Sequence, residues 1–186
     1  MIFMRFNDAT AGTWKFNVYG QGDLATGFNI WLPMGNMISD ETRFSLPDIY
    51  TTVLAPGTSV EPITTTAYNA ITGTLYVNAG RGYTRTNSVK PDFAAPGVNY
   101  RAPDLNGTFI NFTGTGVASA HTAGIVAMAL EWGVILGNQP NISSLEIKNY
   151  FIRGAKRSSN LVYPNRDWGY GILDIYNTFN VLKVRI

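Results

Sequence analysis

Residues 113–124 read TGTGVASAHTAG. Two glycines flank a threonine, and a run of small and apolar residues follows without a break other than Gly124. Glycine is the least favourable ordinary residue inside a helix, because it gives up the most backbone freedom. A chain that places it where a long apolar helix should start needs the turn more than the helix propensity. The run VASAHTAGIVAMALEWG (117–133) is apolar on nearly all sides, so it predicts a central helix rather than a surface one. Ser119, Ala120, Ala123, Gly124 and Ala127 are small and permit close approach of neighbouring backbone.

The segments before this helix are strand-like. PITTTAYN (62–69) is β-branched without clean alternation, as expected of a strand covered on both faces. LYVNAG (75–80) reads as a short strand, VKPDFAAPGVNY (89–100) as strand and turn, and TFINFTG (108–114) as a strand that ends at the glycines. After the helix, a second one is expected over 143–153. Ser143 or Ser144 is its N-cap candidate, and Ile147, Tyr150 and Phe151 face inward. YPNRDWGYGILDI (163–175) is a loop leading to a short last helix or strand.

The first third follows another pattern. TWKFNVY (13–19) alternates, with Trp14, Phe16 and Val18 on one face; FNIWL (28–32) repeats this and YTTVL (50–54) continues it. The turn-rich pieces GQGD (20–23), PMGN (33–36) and APG (55–57) separate them. Short alternating strands with regular breaks suggest a sandwich or jelly-roll. Trp14, Phe16, Phe28 and Trp31 suit its aromatic core better than a sugar- or base-stacking platform, because a period of two fits burial.

The bulk numbers exclude several classes. Charged residues make up 14 % of the chain and the net charge is +2, too little to argue for nucleic acid or a membrane surface. Arg153, Lys156 and Arg157 form the one short basic group, read as a solvated helix end. There is no cysteine, hence no disulfide and no thiolate metal site. By sequence no apolar run is long enough to span a bilayer, and MIFMRF lacks a secretory layout. Residues 1–10 show no clear start of a domain. No metal site or cofactor is expected: Asp40, Glu41 and Asp48 have no calcium-loop spacing, and GRG (80–82) lacks phosphate-loop spacing. Asn106, Asn111 and Asn141 head formal glycosylation sequons of the kind that arise by chance.

Three segments together resemble the C-terminal half of the subtilisin-like serine proteases, the subtilases. KPDFAAPGV (90–98) is similar to the family's lysine-proline-aspartate and alanine-proline-glycine segment, with Lys90, Pro91, Asp92, Pro96 and Gly97 in place. GTGVASAHTAG (114–124) resembles its nucleophile motif, with Gly114, Thr115, Ala118, Ser119, His121 and Gly124 matching. WGYGILDI (168–175) resembles its closing segment. The resemblance covers residues 61 to 186. It implies an α/β fold, the later strands of a parallel sheet around a central helix. Residues 1–60 are similar to part of the jelly-roll insertion of clostridial subtilases, a subset that includes spore-germination proteases of the Csp type. NVYG (17–20) and FNIWLP (28–33) carry that weaker likeness.

In the family motif the serine nucleophile sits at the start of the central helix, where unpaired N–H groups and the positive end of the helix dipole meet a developing oxyanion. Here the resemblance puts Gly116 at that position. Glycine keeps the backbone N–H and removes the hydroxyl. The alternatives are a turn glycine in an unrelated fold, a naturally disarmed pseudoprotease, and an active serine endopeptidase whose serine was replaced. Ser119 lies ~300° further round the helix and a turn deeper, so it is a poor substitute; His121 lies ~140° round, away from the nucleophile side, and matches the family's structural helix histidine rather than its general base. Asp92 matches a structural position. The family's catalytic aspartate, base histidine and oxyanion asparagine precede the serine in the chain, and no such segments occur here. The resemblance therefore implies a chain that does not hydrolyse peptides as it stands. It implies as partners the N-terminal half of a subtilase domain, related germination proteases or a cortex-hydrolase precursor, and a small-molecule germinant such as a bile acid, with a place in the spore. A β-sandwich binding module carried on a subtilase scaffold is the remaining alternative.

Overall fold

The computed structural model describes residues 2–20, 27–33, 37–39 and 41–183. It divides into two compact units, Met1–Ser45 and Leu46–Ile186. The segment 46–60, expected to continue the sandwich, belongs to the second unit. Thr52 N–H donates to the Arg81 carbonyl at 2.9 Å, and Arg81 N–H donates to the Thr52 hydroxyl at 2.9 Å.

The first unit corrects the strand expectation. Among its described residues no strand forms over 13–19 or 28–32. Trp14 and Phe28 are 53 % and 63 % exposed, so no sandwich core encloses them. Phe6 gathers Trp14 and Phe16 at ring distances of 5.6 and 5.5 Å. Alternation makes a strand only where a second strand takes up its amides, and the described residues of this unit carry no strand assignment. Most of the two turn segments near 20–23 and 33–36, and Asp40, lie outside the described residues.

The second unit is built on a parallel pair. β1 (Thr65–Tyr68) lies beside β2 (Phe93–Pro96) with Thr65 opposite Phe93 and Tyr68 opposite Pro96. On the far side of β2, Ala94 N–H donates to the Gly171 carbonyl and Leu173 N–H to the Ala94 carbonyl, both at 2.9 Å. Ile172 in turn exchanges both backbone bonds with Lys156. The closing segment thus enters the sheet as a short parallel extension. β3 (Tyr100–Pro103) and β4 (Phe109–Phe112) form an antiparallel hairpin. The expected strand at 108–114 is β4; its partner β3 was not foreseen. The expected strand at 75–80 reduces to one bridge from Leu75 to Tyr68.

Among the described residues three α-helices follow: α1 (Thr115–Leu130), α2 (Ser144–Gly154) and α3 (Ile175–Lys183). A π-helical turn, Glu131–Ile135, continues α1. α1 lies across the face of the sheet that carries Phe93 and Ala95, two residues apart and so on one side. Ala95, Ala67 and Ala118 meet there, and their small side chains let the helix sit close. Phe93 packs edge-on against Phe151 of α2 at 6.2 Å and joins Ala129, Ile147, Ala155 and Leu173 in the main core. α2 starts as expected. The Ser143 hydroxyl accepts from Glu146 N–H, and the Glu146 carboxylate accepts from Ser143 N–H, a reciprocal capping box.

α1 differs from its expectation in one respect. Along it only Ala118, Thr122 and Ala129 are buried. Met128, Leu130, Val134 and Ile135 remain exposed, as do Ala120, Ala123 and Ala127. The described residues supply one layer against this helix, and an all-apolar helix needs two. Thr115–Ile135 is also long and apolar enough, at mean hydropathy 1.2, to cross a membrane by length and composition, which corrects the sequence expectation. One face of it is seated on β1 and β2.

Candidate functional site

The start of α1 is fixed by two glycines with different duties. Gly114 has φ of +154°, which a side chain disfavours. Its N–H donates to the Gly97 carbonyl at 2.8 Å, and Gly97 N–H donates to the Tyr68 carbonyl at 3.0 Å. The helix start is therefore bonded through the end of β2 to the end of β1. At Gly97 a Cβ would stand 2.7 Å from the Ala67 Cβ, 2.8 Å from the Gly114 carbonyl oxygen and 3.1 Å from the Ala118 Cβ. No side chain fits there while strand, turn and helix keep their places. The sequence motif holds a glycine at this point because a strand, a turn and a helix converge on it.

Gly116 is the opposite case. It is the second residue of α1, exposed, and a Cβ added to it would meet nothing within 4 Å. The first turn of α1 carries no capping side chain and no acidic residue. The site thus offers a helix N-terminus, open space in front of it, and no nucleophilic atom at Gly116. Thr115 beside it is exposed, and Gly124 lies further along the exposed side. Ser119 is exposed on the helix flank, in a shallow groove with Ile63, Ala123, Val126 and Leu130.

His121 points back at the sheet. Its Nδ1 lies 3.0 Å from the Pro96 carbonyl and 3.1 Å from the Val117 carbonyl. Both partners only accept, so this nitrogen carries the hydrogen and shares it between them. The ring also stands edge-on to Tyr100 of β3 at 4.1 Å. His121 therefore ties α1 to β2 and the hairpin.

Lys90 and Asp92 form a buried ionic cluster with a third member that sequence reasoning missed. Asp92 Oδ2 accepts from Lys90 Nζ at 2.8 Å and from Thr64 N–H at 2.7 Å; its Oδ1 lies 3.3 Å from Lys148 Nζ. Lys90 Nζ also donates to the Pro62 carbonyl and the Thr64 hydroxyl, and Lys148 Nζ to the Val60 and Pro62 carbonyls. Each ammonium thus has three acceptors. Burial, foremost, holds Lys90 below its usual value, and the Lys148 charge adds to this while Asp92 opposes it. Lys148 was legible in principle: it shares the inward face of α2 with Ile147 and Phe151, where a charge needs a partner. Pro91, between the two motif residues, is fully buried.

The cluster fixes the entry to β1 against β2 and α2. It brings no group to the start of α1. Among the described residues no group of His, Asp or Glu is arranged to hold a metal ion.

The family model of the subtilase family matches residues 33–171. No curated protein matches the chain. Among solved structures, the CspB protease of Clostridium perfringens is similar over 78 % of this chain at 37 % identity, with a TM-score of 0.74. The PagA prenylagaramide maturation protease and the self-cleaved protease domain of PatA share the fold, at 19 % and 18 % identity and TM-scores of 0.59 and 0.56. They match over 72 % and 70 % of this chain. The chain spans 32 % of the CspB structure and 46 % and 44 % of the other two. With a parallel sheet, a central helix seated on it, and a model match over three quarters of its length, the chain belongs to the subtilase family.

Proposed function

We propose that the chain is the C-terminal part of a disarmed subtilase homologue, which acts by binding in spore-germination signalling and not by peptide hydrolysis. The observation that carries this is Gly116. It stands at the start of α1, where the family motif has its serine, with room for a side chain and none present. The only histidine of the chain, His121, is engaged with two carbonyls and faces the sheet. A helix start that keeps its N–H groups and lacks a hydroxyl can hold a carbonyl oxygen and cannot attack it. The likeness to the CspB protease supports the germination context.

The first partner in this reading is the N-terminal half of a subtilase domain, on the same polypeptide or on another. The exposed apolar face of α1 supports it, since isolated apolar surface of this extent marks a covered interface. Related germination proteases, a cortex-hydrolase precursor and a small-molecule germinant are the further partners, and the spore is the place.

The test is labelling by a fluorophosphonate serine-hydrolase probe, applied to the full-length parent protein and to its Gly116→Ser version. A long-standing loss predicts no labelling of either folded protein, because the upstream base or oxyanion hole is then lost together with the serine. Labelling of the serine version alone would mean intact machinery and a recent or engineered loss. Labelling of the glycine form on this chain would show that the nucleophile position is assigned wrongly.

A further inference from the structure

A shallow, open cleft in the second unit lies away from the start of α1, between the end of α2 and the closing segment. It holds about 400 Å³ and is lined by Arg157, Ser158, Ser159, Leu161, Tyr163, Pro164 and Tyr170. Its chemistry is one-sided. The lining includes a guanidinium, hydroxyls and an apolar wall, and no carboxylate.

Arg157 is held in place before any ligand arrives. Its Nε–H donates to the Tyr170 carbonyl at 2.9 Å, and an Nη2 hydrogen donates to the Ile152 carbonyl near the end of α2. These bonds explain why the arginine is there: it satisfies a late helix carbonyl and joins α2 to the closing segment. They occupy two of its five N–H groups. The other three are left on the outer edge, where a guanidinium takes an oxyanion in two parallel bonds. Among the described residues no carboxylate pairs with Arg157, whereas Lys90, Lys148 and Arg81 each have one. The Tyr163 hydroxyl accepts from Ser158 N–H, so its own hydrogen is available to donate. Leu161 and Pro164 supply the apolar wall; Tyr170 also lines the cleft, with its ring packed on Phe93 of the core.

We propose that this cleft binds a small ligand that carries an oxyanion group, carboxylate or phosphate, on a flat apolar body. Arg157 receives the oxyanion, Tyr163 donates to it, and Leu161 and Pro164 cover the apolar part. The fixed guanidinium gives the site its charge selectivity, since little side-chain freedom is lost on binding.

The test is a titration of the full chain with benzoate, phenyl phosphate and phenol, followed by saturation-transfer NMR and by the backbone amide shifts of residues 157–163. The two anions are expected to bind and phenol to bind about tenfold more weakly or not at all. Whichever anion binds more tightly names the oxyanion. Arg157→Gln keeps donors for the two carbonyls and removes the charge, and it should weaken the anions by about tenfold or more. Tyr163→Phe should weaken them less and leave phenol unchanged. Should the Arg157 variant not fold, the wild-type amide shifts decide. Shifts confined to α1, or equal shifts with phenol, would overturn the proposal, as would an Arg157→Gln protein that binds the anions undiminished.

Discussion

Replacing Asp92 by Asn tests the buried cluster most directly. The Asp92 side chain is 4 % exposed, and those of Lys90 and Lys148 are 3 % and 10 % exposed. Asparagine keeps the volume and one acceptor, which can still serve Thr64 N–H. It removes the only counter-charge of two ammonium groups and turns an NH₂ towards one of them. Breaking a buried pair by removing one partner costs about 3–5 kcal/mol, because the other charge stays behind without water. Here two are left behind, so the upper half of that range is expected. For a chain of this size about 1 kcal/mol moves the midpoint by 2–4 °C, which gives a fall of about 8–20 °C. Thermal melting followed by circular dichroism at neutral pH measures this fall, and urea unfolding the free energy behind it.

The pH dependence gives a second reading of the same variant. Lys90 sits below 10.5 in the folded protein, chiefly through burial. Between its lowered value and 10.5 the unfolded chain binds a proton that the folded chain does not, so this group makes stability rise with pH across that window. Asp92 works against the lowering. Without it the window extends to lower pH, and the Asn variant should regain part of its lost stability as pH rises towards 10. A variant within about 1 kcal/mol of the wild type at neutral pH, with an unchanged pH slope, would refute the account of a buried and mutually dependent triad.

Gly97→Ala should destabilise by about 1–3 kcal/mol or more, because its Cβ meets Ala67, Gly114 and Ala118 at 2.7–3.1 Å; chemical denaturation checks it. Gly116→Ser should fold with a stability within about 0.5 kcal/mol of the wild type, since its side chain enters open space, and thermal melting decides this independently of any probe labelling. Ser143→Ala removes the cap of α2 and should cost about 1 kcal/mol. In the same variant the Glu146 carboxyl, held below 4.5 chiefly by Ser143 N–H and then by its hydroxyl, should titrate closer to 4.5 by NMR.

The helices were legible because their signals are local. Ser143 and Glu146 announce the start of α2 three residues apart, and Ile147 and Phe151 mark its inward face. The small-residue run announced α1 to within two residues at its start. The strands of the first third were misread because alternation is only half of a strand, and its partner leaves no mark in the run itself. The partner of β4 had a signal in the turn Asp104–Thr108, with Asn106 and Gly107, that was not used. At the candidate site the motif glycines could be placed from sequence, but their difference could not. Gly97 is boxed in by atoms from two distant segments, and Gly116 faces empty space. Lys148 escaped because its partners, Asp92 and the carbonyls of residues 60 and 62, are remote in the chain.

The tight contact at Gly97 also bears on how this molecule transmits force. The helix start is tied to the sheet by the hydrogen bonds from Gly114 to Gly97 and from Gly97 to Tyr68, with no room for a side chain at Gly97. A push on the helix start meets these two hydrogen bonds first. They lead on to β1 and β2, and with them to the closing segment bonded to Ala94. The helix start and the closing segment, on opposite sides of β2, are therefore joined through one continuous set of backbone hydrogen bonds.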